Sequence, residues 1–430
     1  MSSRKKLMFC ATLVVLVTMS CGQSQTPMAT PVPSNTLTAT PTRTPRPTQT
    51  PHPPTPTATD PPLGPGPFQR VVSLPETLPS YPAELVQVRA PTDGSVWVIT
   101  SQSVFRWDGQ EVKRVHSMEE DMLADVDESG RLWLFRQDAD EITAWQNGQW
   151  LTYGAETGWT SAQAATSVWW VPKPWRVSIG KDGTVWLPTH WDIRHFDGKR
   201  WTIHTREEMG FPSPESEDWS ISIVHQIALV DGGAQVWVGE CQYSGPGPMG
   251  SPGVRWFDGV TWRGEDAPVG PTCASVVDVD RAGNVWIGAQ DVIWSYEPAR
   301  QKWTSYPLPE TALLDYNFTY VRDLIVDNSG DIWVYLQYCG GASCDANSKL
   351  HRIHAGEWSD LFEKHEWFMP LQQLVTDASG QGWLFWDGTV YRLEGDSPKP
   401  VAAFPALGVD VSPDGKMWAV ADNALWVLEP

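Results

Sequence analysis

Basic residues are scarce in this chain: 31 Lys and Arg stand against 51 Asp and Glu, a formal net charge of −20. Five of the basic residues (Arg4, Lys5, Lys6, Arg43 and Arg46) precede Phe68, so the remainder is more acidic than the whole. A body of that sign repels phosphate backbones, which excludes nucleic acid as a partner. Long apolar runs are missing too. The run Leu7–Met19 has 13 residues, short of the roughly 20 that a membrane-crossing helix needs. There is no HExxH, no GxSxG and no phosphate-cradling glycine loop. Cysteine is limited to six residues in 430. No metal site and no cofactor is expected.

Tryptophan, by contrast, is abundant at 26 residues. Its placement follows a phrase clearest at Asp280-Arg281-Ala282-Gly283-Asn284-Val285-Trp286-Ile287-Gly288. An apolar strand ends in Asp, a Gly turn follows, and the next strand carries Trp. The phrase returns around Trp97, Trp133, Trp186, Trp237, Trp333, Trp383 and Trp418, with spacings of 35–53 residues. A unit of that length in eight copies predicts stacked supersecondary modules. Each copy parses as four strands, A to D. In the fifth these are Ser275–Asp280, Val285–Ala289, Val292–Tyr296 and Trp303–Tyr306. The C-to-D turns read Asp108-Gly109, Asn147-Gly148, Asp197-Gly198 and Asp258-Gly259, as two-residue hairpins with both central residues at φ > 0 would. Repeated four-stranded meanders predict a β-propeller over residues 68–430, eight-bladed, with seven blades as the alternative if one copy is irregular. The eighth copy lacks a D strand. Arg70–Leu74 reads as a strand without a blade, so it is expected to complete the eighth and close the ring.

The start of the chain reads differently. A basic n-region at Arg4–Lys6, the apolar run and Thr18-Met19-Ser20-Cys21 resemble a lipoprotein signal. That resemblance implies cleavage after residue 20 and lipid on Cys21, with simple secretion as the alternative. Residues 22–67 hold 14 Pro and 12 Thr and lack the apolar bulk to offset ordering entropy. As polyproline II they would reach ~140 Å at about 3.1 Å per residue. The organisation read here is a signal at 1–20, a lipidated tether at 21–67 and the propeller beyond.

The repeat phrase, with Asp127…Gly130…Trp133, Asp327…Gly330…Trp333 and Asp377…Gly380…Trp383, resembles the two-component regulator propeller repeat. The resemblance covers residues 68–430 and implies a fold, often the outer sensor part of a receptor. It carries no catalytic residue, because its Asp, Gly and Trp read as structural. Streptogramin lyases are broadly similar in architecture, but their catalytic set finds no residue-by-residue match here.

In such a blade the A–B and C–D turns share one rim, and the B–C and D–A connections share the other. The first rim is all tight turns. The second carries the insertions: Gly154 to Trp175, Thr205 to Ser222, Gly264 to Ala274 and Pro307 to Tyr320, with long B–C loops at Cys241–Pro252 and Tyr338–Ser348. Long connections on a rigid scaffold are where binding residues concentrate. The candidates are Trp159, Trp169, Trp170, Trp191, Trp219, Tyr243, Tyr316, Tyr338 and Trp367, with His190 and Glu240. Aromatic faces beside charged groups suit sugar rings, peptides or aromatic small molecules. The competing reading is that the rings only pin the connections down. Export implies an oxidising compartment, where Cys241 would pair with Cys273 and Cys339 with Cys344.

The sequence therefore reads as a monomeric, exported propeller at the bacterial cell surface that binds a small molecule, glycan or envelope protein without catalysis. A lyase or hydrolase on the same scaffold is one alternative, and an envelope scaffold is another.

Overall fold

A computed structural model describes residues 64–430 except 77, 79–85, 120–121, 137–138, 162–176, 181–182, 190–191, 212–219, 231–234, 245–246, 251–252, 265–273, 290, 310–317, 341–342, 366–372 and 387. Cys21, the signal and most of the tether lie outside the described residues. The described residues all fall within one compact unit, Pro61–Pro430.

Eight antiparallel sheets, each running from an inner strand A to an outer strand D, form an eight-bladed β-propeller. Blade 5 is the plainest: Ala274–Val279, Val285–Ala289, Val292–Glu297 and Lys302–Pro307. The eight strand-B tryptophans are 0–7% exposed. Each is shared with a neighbouring sheet, as Trp286 is with Val321 and Leu324 of blade 6. The Gly that ends the phrase has its own reason. A Cβ on Gly288 would come within 2.5 Å of Val321 Cγ1, and one on Gly239 within 2.7 Å of Val277 Cγ2. The blades approach too closely there for any side chain.

The Asp of the phrase brackets its Trp. Asp280 Oδ1 accepts the N–H groups of Ala282 (2.8 Å) and Asn284 (2.9 Å), while Oδ2 accepts Trp286 Nε1–H (2.9 Å). The same bond to Trp Nε1 runs from Asp127 to Trp133 (3.2 Å), Asp327 to Trp333 (2.8 Å) and Asp377 to Trp383 (2.9 Å). One carboxylate thus satisfies a tight turn and a buried indole together.

The C-to-D turns depart from the two-residue expectation. Of the four turns named above, Asn147-Gly148 alone has both residues at positive φ, 51° and 80°; Ala355-Gly356 of blade 6 does as well, at 53° and 88°. In the Asp-Gly turns only the glycines do, and the Asp side chain closes a four-residue loop instead. Asp108 accepts from Gln110 and Glu111 at 3.0 Å each, and Asp197 accepts from Lys199 (2.8 Å) and Arg200 (2.7 Å). Asp258 accepts from Val260, Thr261 and Arg263, which together hold its pKa down at about 2.

Around the axis, strand A side chains cross the seams. Arg89 of blade 1 meets Asp125 of blade 2 at 2.7 Å, and Asp410 of blade 8 accepts Ala90 N–H at 2.9 Å. Ser178 reaches Ile227 O, Ser275 reaches Val321 O, and Asp323 accepts Leu374 N–H.

Strand Gln69–Ser73 pairs with Ala424–Leu428 and completes blade 8. The N-terminal run does more than that. Gly64 O accepts Ala403 N–H and Phe68 stacks on Phe404 at 4.6 Å, both in blade 7. Asn423 of blade 8 takes the N–H groups of Leu74 and Leu78 through its carbonyl and side chain. Glu76 accepts from Arg114 and Ser103 of blade 1. Residues 64–78 therefore sew three blades together, and the body begins a few residues before Phe68.

Trp286→Ala should cost ~3–5 kcal/mol in denaturant unfolding, because it leaves a ring-sized cavity between blades; a loss under ~1 would mean that the ring carries little. Removing residues 64–75 should lower the melting temperature sharply, and an unchanged melt would show that the ring closes without them.

Candidate functional site

The two rims differ in height. Strand B of blade 5 stops at Ala289, three residues past Trp286. In blade 4 it runs Gln235–Ser244 and in blade 6 Ile332–Gly340, seven residues past Trp237 and Trp333. Four more residues at about 3.3 Å each raise these sheets ~13 Å above blade 5. Two β wings therefore flank the low rim of blade 5, whose B–C connection is only residues 290–291.

The expected long B–C loops are in large part these wings. In blade 4, Gly247–Gly250 pairs back on strand B, Ser244 with Gly247. In blade 6, Gly340 pairs with Ser343, and strand C runs Ser343–His354. Continuing the ladder satisfies main-chain groups that an open loop would leave to solvent.

Three candidates have described side chains. Trp159 is 2% exposed, donates Nε1–H to Ala139 O at 2.9 Å and packs edge-on against Trp201. Its ring faces the seam between blades 2 and 3, not solvent. Tyr338 is 1% exposed, its hydroxyl 2.9 Å from His351 Nε2. Glu240 is fully buried and meets Arg206 at 2.5 Å. For these three the pinning role is what the geometry displays, since a buried charge needs a partner. Tyr243 lies in strand B of blade 4, opposite Ile221 and Pro248. Trp169, Trp170, Trp191, Trp219, Tyr316, Trp367 and His190 lie outside the described residues.

Cys241 lies in strand B of blade 4, opposite Ile223. Cys339 and Cys344 fall in strands B and C of blade 6, one residue beyond the Gly340–Ser343 rung on either side. Cys273 is outside the described residues.

The residues that sequence reasoning missed are arginines. Arg194 is 2% exposed, and Arg206 and Arg255 are each 8% exposed. Arg194 and Arg255 interrupt apolar strand C sequences at inward positions, Ile193-Arg194 and Val254-Arg255. That interruption was the available signal.

Two histidine–carboxylate pairs occur in blade 6 among the described residues. His351 Nδ1 lies 2.9 Å from Asp360, but the ring is 1% exposed. His354 meets Asp331 at 2.5 Å on the tight-turn rim, where Arg352 also joins Asp331 and Asp396. Among the described residues, no three His, Cys, Asp or Glu side chains gather as a metal site would require.

His204, in blade 3, sits among Trp186, His195, Phe257 and Trp262, and its Nδ1 accepts Trp262 Nε1–H at 3.2 Å. Burial lowers its pKa against the opposing pull of Glu208.

No family model matches this chain, and no curated protein does. Several solved structures are similar in fold. The extracellular domain of BT4673 from B. thetaiotaomicron, described as part of a one-component system, is 14% identical over 84% of this chain and 40% of its own, with a TM-score of 0.42. Virginiamycin B lyase from Staphylococcus aureus is 10% identical over 84% of this chain and 97% of its own, with a TM-score of 0.42. YCF48 bound to D1 peptide is 12% identical over 86% and 99%, with a TM-score of 0.44. At such identities the likeness concerns fold alone.

A folded-state pKa below the unfolded value of about 6.5 means that His204 supports folding above that pH and withdraws support as pH falls through the lowered value. Melting temperature should therefore drop as pH falls below about 6.5, and His204→Phe should flatten that drop. An identical slope in the variant would assign the acid sensitivity elsewhere.

Proposed function

We propose that this chain is an exported, Cys21-lipidated binding protein that takes a glycan, peptide or aromatic small molecule on the rim over blade 5, without catalysis. The observation that carries the reading is the uneven rim. Seven residues of strand follow Trp237 and Trp333, against three after Trp286. A propeller needs no such wings to close its core, so their backbone and sequence serve something outside it. Aromatic residues crowd this rim in the sequence, at Tyr243, Phe318 and Tyr320. The Pro/Thr tether would hold the face away from the membrane, and the acidic body would keep it from adhering to anionic lipid. In an oxidising compartment Cys339 would join Cys344 and Cys241 would join Cys273.

A glycan, peptide and metabolite screen on the full chain, read by tryptophan fluorescence, tests the binding face. Shortening both wings to two-residue turns like that of blade 5 should weaken any hit at least about tenfold; undiminished binding by a folded variant would move the site elsewhere. Cys21→Ser should shift the protein from the membrane to the soluble fraction, whereas unchanged partitioning would remove the lipid anchor from the proposal. Peptide mapping without reductant should recover the two cysteine pairs, and four alkylatable thiols in exported protein would refute them.

A further inference from the structure

The first turns of two rim connections are built alike. After strand D of blade 2, Ala155–Thr157 form one 3-10 turn, Gly158 takes φ 90°, and Trp159 follows. After strand D of blade 3, Gly210 takes φ 74°, its N–H on Glu207 O at 3.0 Å, and Phe211 follows. Each aromatic lies against an arginine in strand C of the next blade: Trp159 at 4.5 Å from Arg194, Phe211 at 5.2 Å from Arg255. The arginines occupy one register position. Arg194 pairs with Leu187 and Arg255 with Val238, each the residue after the strand-B Trp. Both donate to main-chain carbonyls of the connection they face, Arg194 to Thr160 O and Arg255 to Gly210 O at 3.0 Å. Arg255 also reaches Gly264 O, at the start of the next connection, at 3.2 Å.

Blade 8 shows the alternative at this position. Trp426 pairs with Ala419, the residue after Trp418, and Phe404 from the preceding connection packs edge-on against it at 5.3 Å. The seam is sealed there by rings alone. Trp426 Nε1–H goes to Ala421 O within its own blade and holds nothing of the connection. A neutral ring is the cheaper filler, because a buried guanidinium carries a desolvation cost. Arginine adds a planar fork of donors that can bind carbonyls of another segment. It appears where the connections continue into 162–176 and 212–219, the stretches that carry Trp169, Trp170 and Trp219.

We infer that Arg194 and Arg255 are positioning residues that clamp the roots of these two connections to strand C of the next blade. Their use in ligand binding rests on the function proposed above; the clamp itself does not.

Hydrogen exchange on the full chain tests the clamp without any ligand. The amides of Gly158, Trp159, Met209, Gly210 and Phe211 are hydrogen-bonded within the two turns. Arg194→Met should speed exchange at Gly158 and Trp159 by about tenfold or more, and Arg255→Met should do so at Met209–Phe211. Strand-B amides of blades 3 and 4 should keep their protection. Arg→Lys, which retains charge but not the fork, should stay fast at the same amides. Equal loss of protection in the turns and in strand B would reduce the arginines to general packing and overturn the proposal, as would unchanged exchange in the turns. If a Met variant does not fold, the Lys variant supplies the same readout. Because no ligand is involved, the clamp can fail while the binding face stands, and the reverse.

Discussion

The molecule depends on one bond between an indole and a carboxylate six residues earlier. A tryptophan between two sheets brings a large apolar area out of water, but its Nε1–H must find an acceptor there. The Asp that closes the A–B turn supplies one. In blade 7, burial works to raise the Asp377 pKa, yet hydrogen bonds from Ser379, Trp383 and the turn amides hold it below the usual value. Turn, strand register and seam are thereby set by the same side chain. Where the bracket is missing, the surroundings differ. In blade 1, Trp97 reaches Asp93 only through Ser95 Oγ (3.0 and 2.6 Å), and in blade 8 the place of the Asp is taken by Ser412. These are two of the blades that residues 64–78 fasten together. In blade 3, Gly180 stands there, and Trp186 is instead stacked on His195 at 3.9 Å.

A scaffold held at each seam can vary its rim. The inner ring is tied by Arg89, Asp410, Ser178, Ser275 and Asp323, and the outer wall by the N-terminal run. The N-terminal run touches such ends only at Asn423, Ser103 and Phe404, and leaves the described B–C and D–A ends of blades 2 to 6 untouched. Those ends are therefore free to lengthen, and they do so unevenly, as wings on blades 4 and 6 and as clamped connections after blades 2 and 3. The rim pairs hydrogen-bonded roots with long insertions, an arrangement that would lower the ordering cost of the binding proposed above.

Much of the fold was legible from the chain alone. The Asp–Gly–Trp phrase marked every strand-B tryptophan, and the missing eighth D strand pointed to Arg70–Leu74, one residue off the observed Gln69–Ser73. The site was legible only as an edge. Counting residues in connections located the decorated rim, but it could not separate a loop from an extended ladder at Tyr338–Ser348, nor a rim ring from a seam ring at Trp159. Those distinctions depend on which groups of a neighbouring blade lie opposite, and that information is spread over residues some fifty positions away. The same limit explains the Asp-Gly turns: dipeptide identity suggested positive φ at both residues, whereas the Asp carboxylate found nearby amides and closed a longer loop.

The amino-acid sequence by itself determined the repeat, the strand order within it and the place where the ring closes, and left eight blades against seven for the structure to decide. Each of these follows from local periodicity and from a turn whose hydrogen bonds are made within six residues. Only the tertiary structure decided which polar groups are buried and with whom: Glu240 with Arg206, and Arg194 beneath Trp159. Burial is a property of the space between sheets, and the chemistry of a side chain there is set by the blade beside it.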